Sequence, residues 1–210
     1  MPSRLNFFIC LPRIFLFSMA YFCLFIKILF YRKSLEFTIC ECGKIDLKMI
    51  ILGIDPGIAR CGWGIIEVKS SKFKVLGYGC IETLSSMEVS LRLAEVYKEI
   101  SKLIKQYSPE EMAVEELFFN TNAKTAFVVG QARGVVLLAG AENRLKNYIY
   151  TPLQVKIAVT GYGRAEKAQV GKMVQTILNL ERIPKLDDTT DALAIALTHA
   201  FSFKMTKAGK

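Results

Sequence analysis

Residues 49–210 predict an α/β layered domain on a mixed five-stranded sheet flanked by helices, and three observations carry that prediction. An almost unbroken apolar run over 49–55 reads as a strand buried on both faces. Two more strand-like runs follow at hairpin spacing, which predicts an antiparallel meander. Helical and strand patterns then alternate toward the C-terminus, the order expected of helices layered on a sheet.

The elements follow in turn. Pro56-Gly57 ends the first strand, and 62–69 and 73–84 are the second and third, joined by the turn Ser70-Ser71-Lys72. Over 89–107 the apolar residues Leu91, Val96, Ile100, Leu103 and Ile104 recur at helical spacing, and Ser108-Pro109 stops that helix. A short strand is expected over 111–117 and a long helix over 121–145, with small residues at Gly130, Gly134, Gly140 and Ala141. A strand at 148–150 ends at Thr151-Pro152. Helices over 152–159 and 165–180 flank Gly161-Tyr162-Gly163-Arg164. The last helix opens at Asp188 and runs to about 202, leaving a basic flexible tail over 203–210. No internal repeat or low-complexity segment is present.

Composition narrows the class. The chain is 52% apolar, too rich for a disordered protein, and has 28 basic against 19 acidic residues for a net charge of +9. Residues 1–48 account for +4 and residues 49–210 for +5. A basic surface that spends several acids on one locus suits a polyanionic substrate with a cation at the point of reaction. The six cysteines form no zinc pattern: four fall in 1–48, and Cys61 and Cys80 read as reduced thiols of a cytoplasmic protein.

Residues 1–48 stand apart as a hydrophobic, basic N-terminal extension. The uncharged run over 14–26 has 13 residues and is prolonged only by admitting Lys27. That falls at or below the ~17–25 residues a spanning helix requires. A membrane anchor is one reading. The favoured one is translation from Met49, directly before the first core strand, with no stable membrane association.

Four carboxylates carry the chemistry: Asp55 at the end of the first strand, Glu115 at the end of Met112-Ala113-Val114, and Asp188 and Asp191 at the start of the last helix. Acids at the edges of buried elements are costly unless paired or bound to a cation. Converging carboxylate oxygens suit Mg²⁺ or Mn²⁺ acting on phosphate, with two ions ~3.5–4 Å apart for in-line attack on a phosphodiester. Each residue also has a plainer explanation. Asp55 fits an Asp-Pro-Gly turn, Glu115 a solvent-facing strand end, and the Asp188–Asp191 pair ordinary helix capping, with Asp187 as a competitor. Strand alternation leaves open whether Glu115 or Glu116 faces the site. His199, the only histidine, lies ~16 Å along the helix from Asp188 at 1.5 Å per residue, which excludes shared coordination and leaves a structural or surface role.

Six motifs in register resemble the RuvC-type Holliday junction endonucleases: Gly-Ile-Asp-Pro-Gly (53–57), Ala-Val-Glu-Glu-Leu-Phe (113–118), Gly-Gln-Ala-Arg-Gly (130–134), Gln-Val-Lys (154–156), Gly-Arg-Ala-Glu-Lys (163–167) and Asp-Thr-Thr-Asp-Ala-Leu-Ala-Ile-Ala (188–196). The resemblance spans 49–202 and implies a ribonuclease-H-like three-layer nuclease domain. It further implies a homodimer, formed through the helix holding Gly130 to Ala141, that nicks a four-way DNA junction symmetrically in recombination and repair. It selects Glu115 over Glu116 and implies that Asp55, Glu115, Asp188 and Asp191 are the catalytic, metal-binding acids. By the same resemblance Phe118 stacks on junction bases, and Lys156, Lys167 and Arg164 face DNA. A RuvA–RuvB branch-migration complex is the implied partner. The family lacks residues 1–48.

Rival readings are weaker. The Asp-Pro-Gly start followed by Gly62-Trp63-Gly64 also occurs in actin-like ATPases and sugar kinases, but those need a second copy of the fold, which this chain lacks. Retention of all four acids argues against a junction binder that has lost catalysis.

Overall fold

The computed structural model describes residues 38–39, 45–46, 48–70, 72–116 and 123–208, with side chains placed except at 38–39, 45–46, 123–125 and 203–208. The apolar run over 14–26 and Phe118 therefore lie outside the described residues. Among those described, no helix is long and apolar enough to cross a membrane.

Among the described residues, seven strands form two sheets. β1 (Thr38–Ile39) and β2 (Ile45–Asp46) make a small antiparallel ladder in a stretch where the sequence shows no period. The main sheet holds β3 (Lys48–Asp55), β4 (Arg60–Lys69), β5 (Lys72–Glu82), β6 (Glu111–Glu115) and β7 (Lys146–Tyr150) in the order β5-β4-β3-β6-β7. β3, β4 and β5 are the expected antiparallel meander, and β6 and β7 add in parallel to β3. The sheet is mixed and five-stranded, as the sequence predicts.

Strand alternation sorts side chains to two faces. Leu52, Ile54, Ile65, Met112 and Val114 pack with α1 (Val89–Tyr107) and α2 (Ala123–Glu142). Ile51, Ile66 and Ala113 pack on the other face with α3 (Pro152–Thr160), α4 (Lys167–Leu178) and α5 (Asp187–Ala208). The result is three layers, helix–sheet–helix.

Local signals set the helix ends. α1 closes on Ser108 in the left-handed conformation, its N–H donating to the Ile104 carbonyl, ahead of Pro109. α3 opens with a reciprocal capping box: the Thr151 hydroxyl accepts from the Gln154 N–H, and the Gln154 side chain accepts from the Thr151 N–H. It closes on Gly161 at φ 75°. α5 starts one residue earlier than the sequence suggests and runs through Ala208, so most of the expected flexible tail continues the helix. β6 ends at Glu115, two residues short of the expected strand.

α5 packs directly on the bare backbone of glycines in the strands beneath it. A methyl group on Gly53 would run into the Ala192 carbonyl, and one on Gly62 into the Asp188 carbonyl. From Ala192 to Ala200 the helix is buried almost continuously. The first turn of α5 is thereby seated against the strand ends that carry Asp55.

Candidate active site

Asp55 ends β3 and Glu115 ends β6, and the two strands run parallel in register with Ile54 beside Val114. The next residues along, Asp55 and Glu115, therefore sit side by side at one end of the sheet. The face is settled by alternation from Ala113, which packs toward α5, so Glu115 points to α5 and the exposed Glu116 away from it. Glu116 instead donates its backbone N–H to the Tyr150 carbonyl at 2.7 Å, holding β7 against the site.

The second pair comes from α5. Asp188 abuts Gly62, whose register partner across β3–β4 is Asp55. Asp191, one turn later, receives an ion pair from Lys167 Nζ at 2.9 Å. The exposed Asp187 lies at 3.9 Å from the same ammonium.

Electrostatics ties the four acids together. Burial is the main cause that lifts Asp55 to about 6, with Asp191 and Asp188 adding repulsion. Burial likewise lifts Glu115 to about 8, followed by the charge of Asp55 and a hydrogen bond in which Glu115 holds the proton and Asp55 accepts it. Asp191 is also raised by burial, against the opposing pull of Lys167. The Lys167 ammonium is raised in turn, chiefly by its hydrogen bond to Asp191. Acids crowded into a buried locus resist ionising together.

One cation here was not legible from the motifs. Arg60, the first residue of β4, places Nε 3.1 Å from Asp188 Oδ2. The contact is an ion pair without hydrogen-bond geometry, because Asp188 Oδ2 is buried and has no hydrogen-bond partner. No local spacing links Arg60 to an acid so distant in sequence; only the helix seated over β4 brings them together. With Asp188 and Asp191 each facing a cation, no three acidic, histidine or cysteine side chains among the described residues converge as a ready cage for an ion. The orphaned buried oxygen of Asp188 and an all-oxygen donor set nevertheless fit a hard divalent cation.

The other expected residues are placed as follows. Lys167 is in the site. Lys156 lies midway along α3 and the exposed Arg164 in the turn between α3 and α4, and neither pairs with the four acids. His199 is 2% exposed and structural: Nδ1 pairs with the Tyr150 hydroxyl at 2.7 Å, and Nε2 pairs with Glu111. It ties α5 to β6 and β7. Cys61 is buried and Cys80 half-buried, both free thiols.

Comparison with known proteins agrees. The family model described as crossover junction endodeoxyribonuclease RuvC matches residues 51–199. Crossover junction endodeoxyribonuclease RuvC of Clostridioides difficile is 57% identical over 159 residues, covering 76% of this chain and 94% of that protein. Its counterpart from Alkaliphilus oremlandii is 53% identical, covering 76% and 97%. Among solved structures, Thermus thermophilus RuvC superposes with a TM-score of 0.71 at 38% identity, covering 75% of this chain and 97% of that one. The same protein in complex with Holliday junction substrate gives 0.72 at 39% identity, covering 75% and 96%. The yeast mitochondrial resolvase Ydc2, at 14% identity and a TM-score of 0.59, shares the ribonuclease-H-like fold alone. With the family model spanning the sheet and the helices that carry all four acids, this chain belongs to the RuvC family of crossover junction endodeoxyribonucleases.

Proposed function

We propose that this protein is a structure-selective endonuclease that resolves four-way (Holliday) DNA junctions by paired, symmetric nicks. The observation that supports this best is the meeting of Asp55, Glu115, Asp188 and Asp191 at one end of the sheet in a RuvC-family chain. These acids would hold Mg²⁺, with Mn²⁺ able to substitute and two ions per site. Bound divalent cations supply an activated water and charge for the leaving 3′ oxygen.

The chain's own groups prepare that chemistry. Asp55 and Glu115 would have to give up the proton between them to hold a cation, so occupancy is expected to rise with pH. Lys167 holds Asp191 in place from the first turn of α4 and brings positive charge to the phosphate. Lys156 and Arg164 extend that charge along the α3–α4 corner, and Phe118 stacks on an unpaired base near the crossing point, an interaction worth ~1–3 kcal/mol.

Two nicks of like polarity require two sites, and α2 offers the surface for a homodimer. Its inner face buries Ala132, Val136 and Ala139, while Phe127 and Leu138 are 69% and 51% exposed beside Gly130 and Gly134, which have open space outside them. Residues 49–202 form the nuclease domain, 1–48 lie outside the matched region, and the protein acts in the cytoplasm with a RuvA–RuvB complex. The test uses the full chain, wild type and Asp55→Asn, on labelled four-way junctions and matched duplexes with and without Mg²⁺. Paired nicks confined to the junction, absent without Mg²⁺ and abolished in Asp55→Asn while binding persists, are expected. Equal cutting of duplex, or an active Asp55→Asn, would overturn the proposal.

A further inference from the structure

Arg60 is held differently from the other cation in the site. Lys167 makes a hydrogen bond with Asp191, but Arg60 approaches Asp188 at 3.1 Å without forming one. A guanidinium carries five N–H donors, and the Arg60 side chain is 54% exposed, so part of that donor capacity is open to solvent. A partly exposed ion pair of this kind is weak and screened by salt, so separating it costs little.

The backbone that bears Arg60 is fixed. The Thr83 N–H donates to the Ala59 carbonyl at 3.1 Å, and the Thr83 hydroxyl donates to the Ile58 carbonyl at 2.5 Å. Arg92 of α1 then donates from Nε to the Thr83 hydroxyl at 2.8 Å. On the far side Gly62 is wedged against Asp188 and paired with Asp55. The Arg60 side chain itself lies beside a buried oxygen that lacks a hydrogen bond.

We propose that Arg60 is an exchangeable counter-charge: it neutralises Asp188 while no divalent ion is bound, and once an ion takes Asp188 it turns outward to grip a backbone phosphate of the DNA strand being cut. The charge balance supports the exchange. One carboxylate cannot serve a divalent ion and a guanidinium equally, and a displaced guanidinium at the mouth of an acidic site finds its best partner in a phosphate, which it can meet with two parallel N–H bonds. Arg60 thus competes with the ion before DNA arrives and compensates the phosphate afterwards, which couples ion binding to DNA binding. This rests on the nuclease reading above.

Full-length wild type, Arg60→Gln and Arg60→Lys are compared in two measurements. Free Mn²⁺ is titrated by electron paramagnetic resonance without DNA, and Arg60→Gln is expected to bind it several-fold more tightly than wild type. Junction binding is then followed by fluorescence anisotropy over a salt series at saturating Ca²⁺, with all four acids intact and the DNA checked by gel to remain uncut. There Arg60→Gln is expected to weaken binding and lower the salt slope by about one, while Arg60→Lys keeps the slope. Circular dichroism and urea midpoints confirm that both variants fold. Unchanged or weaker Mn²⁺ affinity in Arg60→Gln would overturn the exchange, and an unchanged salt slope would overturn the phosphate contact. Failure of the junction reading would look different: wild type itself would not prefer the junction to duplex, while the Mn²⁺ comparison would still decide the exchange.

Discussion

Asp55 and Glu115 make the metal-free protein sensitive to alkali. Both carboxyls are raised in the fold, so the folded state binds more protons than the unfolded one between the ordinary carboxylate range and about 8. Their contribution to stability is fully present below the unfolded pKa of about 4 and is lost as pH rises through the folded values. Glu115→Gln removes the acid but can still donate a hydrogen bond to Asp55. In chelator, its urea midpoint is expected above that of wild type at pH 9, with the gap closing toward pH 4. An equal gap at both pH values would mean that Glu115 ionises freely in the fold. Identity at this scale was partly legible. Asp-Pro-Gly and the paired aspartates mark themselves by their place at element ends, but Glu115 and Glu116 differ only in which face they take. That face is defined by α5, which no short window of sequence contains.

At the scale of elements, the seat of α5 decides whether the two pairs of acids meet. Gly62→Ala would drive a methyl group into the Asp188 carbonyl, so overpacking should cost roughly 1–3 kcal/mol in urea unfolding and shift the first turn of the helix. Cleavage should fall by more than the stability loss accounts for. Gly171→Ala in α4 is the control: its added methyl meets only ordinary contacts near Thr190 and Ile183, and replacing a helical glycine is favourable by up to ~1 kcal/mol. Equal effects from the two substitutions would show that the close approach at Gly62 is not special. α1 was readable from its strong 3.6-residue period, and β3 from its unbroken apolar run. The ends were less so. α5 continues past residue 202 to Ala208 despite the basic composition there, and β6 stops early once Glu115 reaches the sheet edge. The role of Arg60 left no trace in either pattern, since it arises where β4 passes under α5.

For the whole molecule, the proposed homodimer makes the outer face of α2 the place to test how many strands are cut per encounter. Leu138→Asp places a charge where the dimer proposal puts an apolar contact. Sedimentation should then show a monomer, and labelled junctions should carry single nicks, with the fold unchanged by circular dichroism. A dimer that persists with paired nicks would remove α2 from that role. The buried stretch of α5 has a consequence for how the molecule breathes. Backbone amides from Ala192 to Ala200 have almost no surface of their own to open locally, so their hydrogens should exchange with solvent only when the entire domain unfolds. Asp188 and Asp191 stand at the head of that stretch. Heat or denaturant should therefore not loosen one half of the site gradually; the acids on α5 are expected to keep their seat until the last cooperative opening and then lose it together.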